Sequence, residues 1–254
     1  MEADSLSSCI IKNKVASNQL GTVSIHEVID STSTQLRKLL EQGAGHGTLV
    51  VANSQTNGRG RYGRYFHSPQ GTGIYMSLLL SKPDLGLEDT SLITILAGTA
   101  TCRALRQLSN KPVEIKWIND LFLDGKKIGG ILTEAVGEHF IIGIGLNIQP
   151  PVEAFPEEIG EIVEFLYEAS EESVSRNEII ATIVSELLEG GCQSGLISEY
   201  KSYSAVLGKR VSVSMGKSSY VAKALDIDEQ GRLVVEKADL TIEKLCSGEV
   251  RIKL

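Results

Sequence analysis

Gly58-Arg59-Gly60-Arg61-Tyr62-Gly63-Arg64 is the segment that decides the fold, because it separates two strand-like runs at residues 49–52 and 74–80. It sets three arginines among three glycines in a chain whose formal net charge is −7. Glycine lets a ligand approach the backbone closely, and each guanidinium offers a planar fork of donors to carboxylate or phosphate oxygens. The segment therefore predicts an anion-binding loop between two strands. A solvated, arginine-rich turn is the alternative.

The glycine spacing of this segment also matches the dinucleotide-binding pattern G-x-G-x-x-G, at Gly58, Gly60 and Gly63. That pattern should open a helix. Here residues 65–69 and a glycine-rich turn follow instead, and no G-x-x-x-x-G-K-S/T phosphate loop occurs in the sequence. Both nucleotide-binding motifs are therefore excluded.

The composition indicates a globular chain of one large domain or of a main domain with a small appendage, since 42% of its 254 residues are hydrophobic. Its acidic balance argues against a surface built for nucleic acid. The four cysteines form no C-x-x-C pair, and the four histidines lack metal-ligand spacing. Neither a signal peptide nor an apolar run near the ~20 residues that span a bilayer is evident. We expect a cytoplasmic protein without a membrane segment.

The first half of the chain alternates strand and helix signals. Strand-like runs lie at residues 24–29, 113–117, 121–123, 128–133 and 140–148, and the Asp124-Gly125 pair predicts a hairpin. Thr32 and Gln35 form a capping-box pattern ahead of a short helix that Gly43 ends. A longer helix is predicted from Asp89 or Thr90 to about residue 108.

The second half begins with an acidic stretch at residues 150–189, which we interpret as a solvated helical face. Ser175 and Glu178 form a second capping-box pattern, and Gly190-Gly191 should end the helix that follows. From about residue 206, short alternating strands without helices are typical of a small barrel.

Three further segments carry polar or glycine residues at strand ends. They are Lys116-Trp117-Ile118-Asn119-Asp120, Lys126-Lys127-Ile128-Gly129-Gly130 and Gly143-Ile144-Gly145-Leu146-Asn147. Each alone is a weak signal. Together with the arginine loop they supply what acyl phosphate chemistry needs, namely cations to hold a triphosphate and a carboxylate, and glycines that let a ligand lie against the backbone.

In this order the segments resemble the biotin protein ligases. The motifs that carry the resemblance are Asp30-Ser31-Thr32, Gln55-x-x-Gly58-Arg59-Gly60-Arg61-x-Gly63-Arg64, Lys116-Trp117-x-Asn119-Asp120, Lys127-x-Gly129-Gly130-Ile131-Leu132-x-Glu134 and Gly143-x-Gly145-x-Asn147. The resemblance implies an α+β fold with a mixed, mainly antiparallel sheet flanked by helices, as in class II synthetase-like catalytic domains. It also implies a small C-terminal SH3-like β-barrel. We expect a short extension at residues 1–23, a catalytic domain at 24–204 and the barrel at 205–254.

The resemblance further implies an ATP-dependent ligase that converts biotin and ATP to biotinyl-5'-AMP and pyrophosphate. Biotin would then pass to a lysine of a biotin carboxyl carrier protein, with Mg²⁺ as the expected metal. The alternative enzyme is a lipoate or octanoate ligase of the same superfamily, although lipoyl enzymes lack the arginine loop. The alternative outside enzymes is a sensor that holds biotinyl-AMP without transferring biotin.

Carried over residue by residue, the resemblance implies three overlapping groups of site residues. The biotin-binding group is Ser31, Thr32, Ser33, Gln55, Arg59, Gly60, Arg61, Lys127, Gly129, Gly130 and Gly143. The nucleotide-binding group is Arg61, Arg64, Lys116, Asn119, Asp120 and Asn147. The catalytic group is Lys127, Arg61, Asp120 and Lys116, with Asp120 also the expected magnesium ligand. The loop from Gly58 to Phe66 is expected to close over the reactive intermediate.

The chain departs from the family pattern at three positions. Ser33 stands where asparagine is common, Ile118 where proline is common and Phe66 where tryptophan is common. Some family members also carry an N-terminal helix-turn-helix, which residues 1–23 are too short to build. We therefore expect no DNA binding and no transcriptional regulation by this chain alone. Strand edges of the central sheet make a homodimer a reasonable expectation.

Overall fold

A seven-stranded sheet forms the centre of the protein. Its strands are β1 (Val23–His26), β2 (Leu49–Ala52), β3 (Gly73–Ser81), β4 (Glu114–Lys116), β5 (Asp120–Leu123), β6 (Lys126–Val136) and β7 (His139–Asn147). The computed structural model describes residues 4–85, 90–151, 163–189, 195–215 and 218–252. The strand order is β1-β2-β3-β7-β6-β5-β4, and β1 with β2 is the parallel pair among antiparallel neighbours. A mixed, mainly antiparallel sheet is thus confirmed.

Helices cover the two faces of this sheet unequally. The helices of the described residues are α1 (Ser8–Lys14), α2 (Thr32–Glu41), α3 (Ile93–Ser109), α4 (Arg176–Leu188) and α5 (Leu196–Ser202). Helices α1, α3, α4 and α5 pack on one face or on one another over the main hydrophobic core. Helix α2 covers part of the other face, where Leu36 packs with Val50, Leu79 and Ile141. The remainder of that second face is the floor of a pocket.

Local signals for turns and helix ends were only partly correct. The Asp124-Gly125 hairpin is confirmed, with φ of 50° and 80° at its two residues. The capping box at Thr32 was wrong, because helix α2 begins one residue earlier with Ser31 as its N-cap. The Thr32 hydroxyl instead forms hydrogen bonds with Ser77 on β3 and with the side chain of Gln55. Ser175 does occupy the N-cap of α4, but its hydroxyl donates to Asp4 and makes no cap hydrogen bond.

The long helix predicted from Asp89 or Thr90 begins at Ile93, after a turn of 3₁₀ helix over Thr90–Leu92. Asp89 lies outside the described residues, as do Glu157, Glu158 and Glu161 of the acidic stretch and the Gly190-Gly191 pair. In residues 163–175 the backbone is extended or turned, so the helical interpretation of this part was wrong. Glu171 is held there by Lys111, whose Nζ lies 2.7 Å from its Oε2.

The C-terminal region forms a five-stranded antiparallel sheet in the order β11-β10-β9-β8-β12. Its strands are β8 (Arg210–Met215), β9 (Ser218–Ile227), β10 (Leu233–Lys237), β11 (Ile242–Leu245) and β12 (Glu249–Ile252). The fold fits the expected SH3-like domain, but in the described residues the sheet does not close into a barrel, because β11 and β12 end it without pairing with each other. Strand β11 escaped the sequence analysis because its Glu243 and Lys244 interrupt the apolar alternation.

Contacts on the β4 side connect the central sheet to the C-terminal sheet and to the segment that leads into it. The indole Nε1–H of Trp117 donates to the carbonyl of Gly231, in the β9–β10 turn, at 2.9 Å. Along the outer edge of β4, Ile115 exchanges backbone hydrogen bonds with Tyr203 and Ala205. The boundary proposed near residue 204 therefore lies in a segment that pairs with the central sheet. No helix of the described residues is long and apolar enough to cross a bilayer.

Candidate active site

A pocket of about 300 Å³ opens on the part of the sheet face that α2 leaves uncovered. The arginine loop forms its roof, β6 and β7 form its floor, and the corner between β4 and β5 closes one end. The start of α2 closes the opposite end. Residues 248–250 of the C-terminal sheet complete the wall. Segments that are far apart in sequence thus converge on one cavity.

The end of the pocket next to α2 is uncharged and polar. The Thr32 backbone N–H donates to Gln55 Oε1 at 2.9 Å, and the Thr32 hydroxyl lies 2.8 Å from Ser77 Oγ. Ser33 Oγ lies 3.0 Å from the same Ser77 oxygen, and Gln55 Nε2 donates to Ser68. These side chains are buried, so their mutual hydrogen bonds fix their orientation. This end suits a neutral ligand group that both donates and accepts hydrogen bonds.

The floor of the pocket depends on glycines. A Cβ atom at Gly143 would lie 2.8 Å from Ser33 Oγ, and one at Gly145 would lie 2.6 Å from the Phe66 ring. A Cβ at Gly130 would lie 3.3 Å from Lys127 Nζ and 3.5 Å from an oxygen of Asp120. Any side chain at Gly143 or Gly145 would therefore meet the groups above the floor. The glycines give a ligand direct access to the sheet backbone.

The roof is a short hairpin made by the arginine loop. Gly60 N–H donates to the Arg64 carbonyl at 2.8 Å, and Phe66 N–H donates to the Gly58 carbonyl at 2.9 Å. The turn between them places Tyr62 in the left-handed region, with φ of 57°. Arg61 points inward, and its Nη1 donates to Asn119 Oδ1 at 2.7 Å. The hairpin therefore presents a guanidinium to the far end of the pocket.

That far end is charged. Asp120 lies between two lysines, with Oδ1 2.6 Å from Lys127 Nζ and Oδ2 3.3 Å from Lys116 Nζ. The lysines reach it from both sides because Lys116 and Asp120 pair across β4 and β5, and β6 carries Lys127 beside them. Five cationic side chains and two carboxylates line the pocket as a whole, in an acidic protein. This excess of positive charge fits a polyanionic ligand.

The expected magnesium site was tested on the same geometry. Both oxygens of Asp120 already have an ammonium partner. No group of three or more His, Cys, Asp and Glu side chains in the part of the chain that the structure describes could hold a metal ion. A protein-built magnesium site normally needs carboxylates free to coordinate the ion. The described residues therefore do not fit a magnesium site built by the protein.

The pocket brings together nearly all of the site residues expected from sequence. Ser31, Thr32, Ser33, Gln55, Arg59, Gly60, Arg61, Arg64, Lys116, Asn119, Asp120, Lys127, Gly130, Gly143 and Asn147 all line it. Gly129 does not, because its missing Cβ would point at the Gly145 carbonyl, 2.5 Å away, and into Leu146. Strand alternation explains this difference, since neighbouring residues on β6 face opposite sides of the sheet. The individual roles of these residues stay predictions.

Several lining residues were not expected from sequence. They include Leu132 of β6 and Ile144 of β7. Phe66, the last residue of the loop that was expected to close over the intermediate, also lines the pocket. Strand alternation could have identified Leu132, which is two residues from Gly130 on the same face. Residues 248–250 carried no signal of their own, because only the tertiary fold brings the last strand to the arginine loop.

Known proteins share both parts of this architecture. Residues 25–147 match the biotin/lipoate A/B protein ligase family, and residues 206–252 match the biotin protein ligase C-terminal domain. The chain is 34% identical over 240 residues to the bifunctional ligase/repressor BirA of Bacillus subtilis. This match covers 89% of this chain and 73% of the relative. It is 29% identical over 222 residues to the biotin-[acetyl-CoA-carboxylase] ligase of Mycobacterium tuberculosis, covering 84% and 82% of the two chains.

The solved structure of the biotin protein ligase from Aquifex aeolicus in complex with biotin and ATP has the same fold. Its TM-score to this chain is 0.79 at 27% identity, over 92% of this chain and 99% of that one. Fold, pocket and sequence thus define an α+β ligase domain with an appended small antiparallel domain. The chain belongs to the biotin/lipoate A/B protein ligase family, and the Mycobacterium tuberculosis and Aquifex aeolicus proteins that it resembles are biotin ligases.

Proposed function

We propose that this protein is a biotin protein ligase. It activates the carboxylate of biotin with ATP to give biotinyl-5'-AMP and pyrophosphate. It then transfers the biotinyl group to a lysine of a biotin carboxyl carrier protein. The observation that carries this proposal is the polarity of this pocket, which is neutral beside Ser33 and cationic beside Lys127. Biotin has the matching polarity, with a neutral cyclic urea at one end and a carboxylate at the other.

The uncharged end would bind the urea of biotin. Thr32, Ser33 and Gln55 already hold one another through Ser77 and Ser68, so little side-chain freedom is lost when a ligand binds. The glycine floor lets the flat ring system lie against β7. Ser33, in place of the asparagine common in the family, supplies one hydroxyl where an amide would supply a donor and an acceptor.

The cationic end would perform the first step. A carboxylate oxygen of biotin attacks the α-phosphorus of ATP, the new O–P bond forms, and the bond to the leaving pyrophosphate breaks. Arg61 and Lys127 would neutralise the carboxylate and the α-phosphate, which otherwise repel each other. In the present structure both groups bond to protein acceptors, Asn119 and Asp120. Substrate would replace these partners, so the cations are positioned before it arrives.

Arg64, Lys116, Asn119 and Asn147 would hold the rest of the nucleotide. They line the pocket on the side of the β4–β5 corner, away from the hydroxyl cluster of α2. We propose that Mg²⁺ enters with ATP as part of the substrate, because the residues that the structure describes offer it no set of free carboxylates.

In the second step the ε-amine of the carrier lysine attacks the acyl carbon of biotinyl-5'-AMP. An amide bond forms, the bond to AMP breaks, and the proton lost by the amine passes to the released AMP or to water. Asp120 lies beside Lys127 at this end of the pocket and would orient the incoming amine. The arginine hairpin covers the mixed anhydride until the carrier arrives, which limits its hydrolysis.

A biotin-dependent exchange of labelled pyrophosphate into ATP tests this proposal. We expect exchange with biotin and little with lipoate at equal concentration. Exchange with lipoate alone would instead favour the lipoate ligase, the alternative left open by the family match. Adenylate formation without transfer to any carrier would favour a sensor of biotinyl-AMP.

We also propose a homodimer in the cytoplasm. Strand β1 ends the central sheet, and no further strand of the described residues pairs with its outer edge. A second copy could add a strand there. Sedimentation of the protein with and without biotin and ATP tests this point, and a monomer under both conditions would contradict it.

A further inference from the structure

Glu134 is a partly buried carboxylate that lies next to the pocket without lining it. Its side chain, on β6, is 17% exposed. Leu132, two residues earlier on the same face, does line the pocket, and Ile141 pairs with Glu134 on the neighbouring strand. Because Ile141 packs under helix α2, Glu134 sits at the boundary between the pocket and the small core below that helix.

Two guanidinium groups share one oxygen of this carboxylate. Arg37 of helix α2 lies 3.1 Å from Glu134 Oε1, and Arg59 of the arginine hairpin lies 3.3 Å from the same atom. The second oxygen, Oε2, is buried and has no hydrogen-bond partner. A buried carboxylate oxygen without a partner is destabilising. The arrangement is therefore not one that fold stability alone would favour.

The two arginines belong to parts of the pocket that must stay together. Arg37 lies one helical turn after Ser33, on the same face of α2, so it belongs to the helix that carries the neutral end of the pocket. Arg59 lies at the base of the roof hairpin, where it pairs with Tyr65 in an isolated β-bridge. Glu134 thus ties the base of the roof to the helix that carries the neutral end.

We infer that Glu134 is a positioning residue that keeps the arginine hairpin closed by holding Arg59. This inference rests on the proposed function for its consequence, the retention of biotinyl-5'-AMP, but not for the contact itself. With the charge removed, the Arg59 guanidinium loses its ionic acceptor, and the hairpin opens more often. The reactive groups, Arg61 and Lys127, do not touch Glu134, so the chemical step should change less than the retention of the intermediate.

Limited digestion with trypsin tests the contact without any substrate. Glu134→Gln should speed cleavage after Arg61 or Arg64 by up to about fivefold, the upper end of the range expected for a partly exposed ion pair. Glu138→Gln is the matched control. Glu138 lies in the turn between β6 and β7, its side chain is 77% exposed, and it pairs with Lys82 instead of with an arginine of the roof. Equal cleavage rates in the two variants would overturn the inference.

Arg59→Ala provides a second variant that does not depend on a buried substitution, because the Arg59 side chain is 44% exposed. It should speed cleavage as Glu134→Gln does, and the double variant should be no faster than either single one. If the cleavage rate of the double variant rises by the product of the two single effects, Glu134 acts independently of Arg59, and the inference is overturned.

Release of labelled biotinyl-5'-AMP then measures the consequence. Glu134→Gln should shorten the lifetime of the bound adenylate by up to about fivefold while kcat for its formation changes less than about twofold. An equal fall in the lifetime of the adenylate and in kcat for its formation would contradict a positioning role. If the unmodified protein forms no adenylate, the proposed function fails, whereas the digestion result still stands or falls by itself.

Discussion

Arg64 and Glu249 join the roof of the pocket to the last strand of the C-terminal sheet, with Arg64 Nη2 2.6 Å from Glu249 Oε2. The Arg64 guanidinium is the main cause that lowers the pKa of Glu249, to about 2, and Glu249 in turn raises the pKa of Arg64. The pair therefore persists over the whole neutral range. It gives the C-terminal sheet a direct part in closing the pocket.

Removing this ion pair should loosen the roof without unfolding the protein. Glu249→Gln should raise the KM for ATP a few-fold, because partly exposed ion pairs contribute about 0.2–1 kcal/mol. High salt should reduce the difference from the unmodified protein. Arg251→Gln is the control, since Arg251 also contacts Glu249 but is largely exposed. Steady-state kinetics at two salt concentrations measure both effects. A larger rise in the KM for ATP in Arg251→Gln than in Glu249→Gln would contradict the role of the Arg64–Glu249 pair in closing the pocket.

Arg61 and Lys127 are the residues on which the proposed chemistry depends most. Arg61→Ala and Lys127→Ala should each slow adenylate formation by about 100-fold or more, because each removes a charge aimed at the reacting groups. Lys126→Ala is the matched control, since Lys126 precedes Lys127 but pairs with Glu164, away from the reacting groups. Circular dichroism should show an intact fold in all three. Near-normal turnover in both site variants would refute the assignment.

The glycine floor predicts a steric effect. An added Cβ at Gly145 would meet the Phe66 ring, so Gly145→Ala should displace the roof and raise the KM for biotin about tenfold, in line with the about 1–3 kcal/mol that overpacking costs. Gly45→Ala is the control, because no atom lies within 4 Å of its added Cβ. Biotin titrations can follow the fluorescence of Trp117, the one tryptophan of the chain, which lines the pocket. An unchanged affinity in Gly145→Ala would contradict the described floor.

His46 predicts a dependence of stability on pH. Its Nδ1 accepts a hydrogen bond from the Ser81 N–H at 3.0 Å, which requires the unprotonated nitrogen. Burial lowers the pKa of His46 below 6.5, and this outweighs the opposing effect of Asp84. The unfolded chain therefore binds the proton more readily, so stability is complete above about pH 6.5 and falls as the pH drops below it.

Urea unfolding of the protein at pH 8 and at pH 5.5 measures this dependence. His46→Gln should be less stable than the unmodified protein at pH 8, but its stability should change less between the two pH values. An equal pH dependence in the two proteins would exclude His46 as its source.

The strands, helices and site residues could be predicted from sequence better than the contacts between distant parts of the chain. The strands of the central sheet have strong alternating or continuous apolar patterns, so β2, β3, β6 and β7 were found close to their true ends. The predicted site residues converge because glycines and charges mark strand ends, where loops form pockets. The capping box predicted at Thr32 was wrong because a buried hydroxyl can hydrogen-bond to a core side chain, here Ser77, as well as to a helix end.

Contacts between distant parts of the chain had no local signal. Glu249 gives no sign in sequence that it faces Arg64, which is 185 residues away. Likewise, Glu134 was visible as a motif residue, but its two arginine partners follow only from the packing of α2 and the hairpin on β6. The open C-terminal sheet also depends on how β11 and β12 end, which apolar alternation does not encode.

The central claim is that the pocket activates biotin and delivers it to a carrier lysine. The most direct measurement is the mass of an apo carrier domain after incubation with the protein, ATP and either biotin or lipoate. With biotin and ATP we expect a single lysine to gain the mass of one biotin less one water, and we expect omission of ATP to abolish the gain. A mass gain with lipoate alone, or no gain although biotinyl-5'-AMP forms, would contradict it.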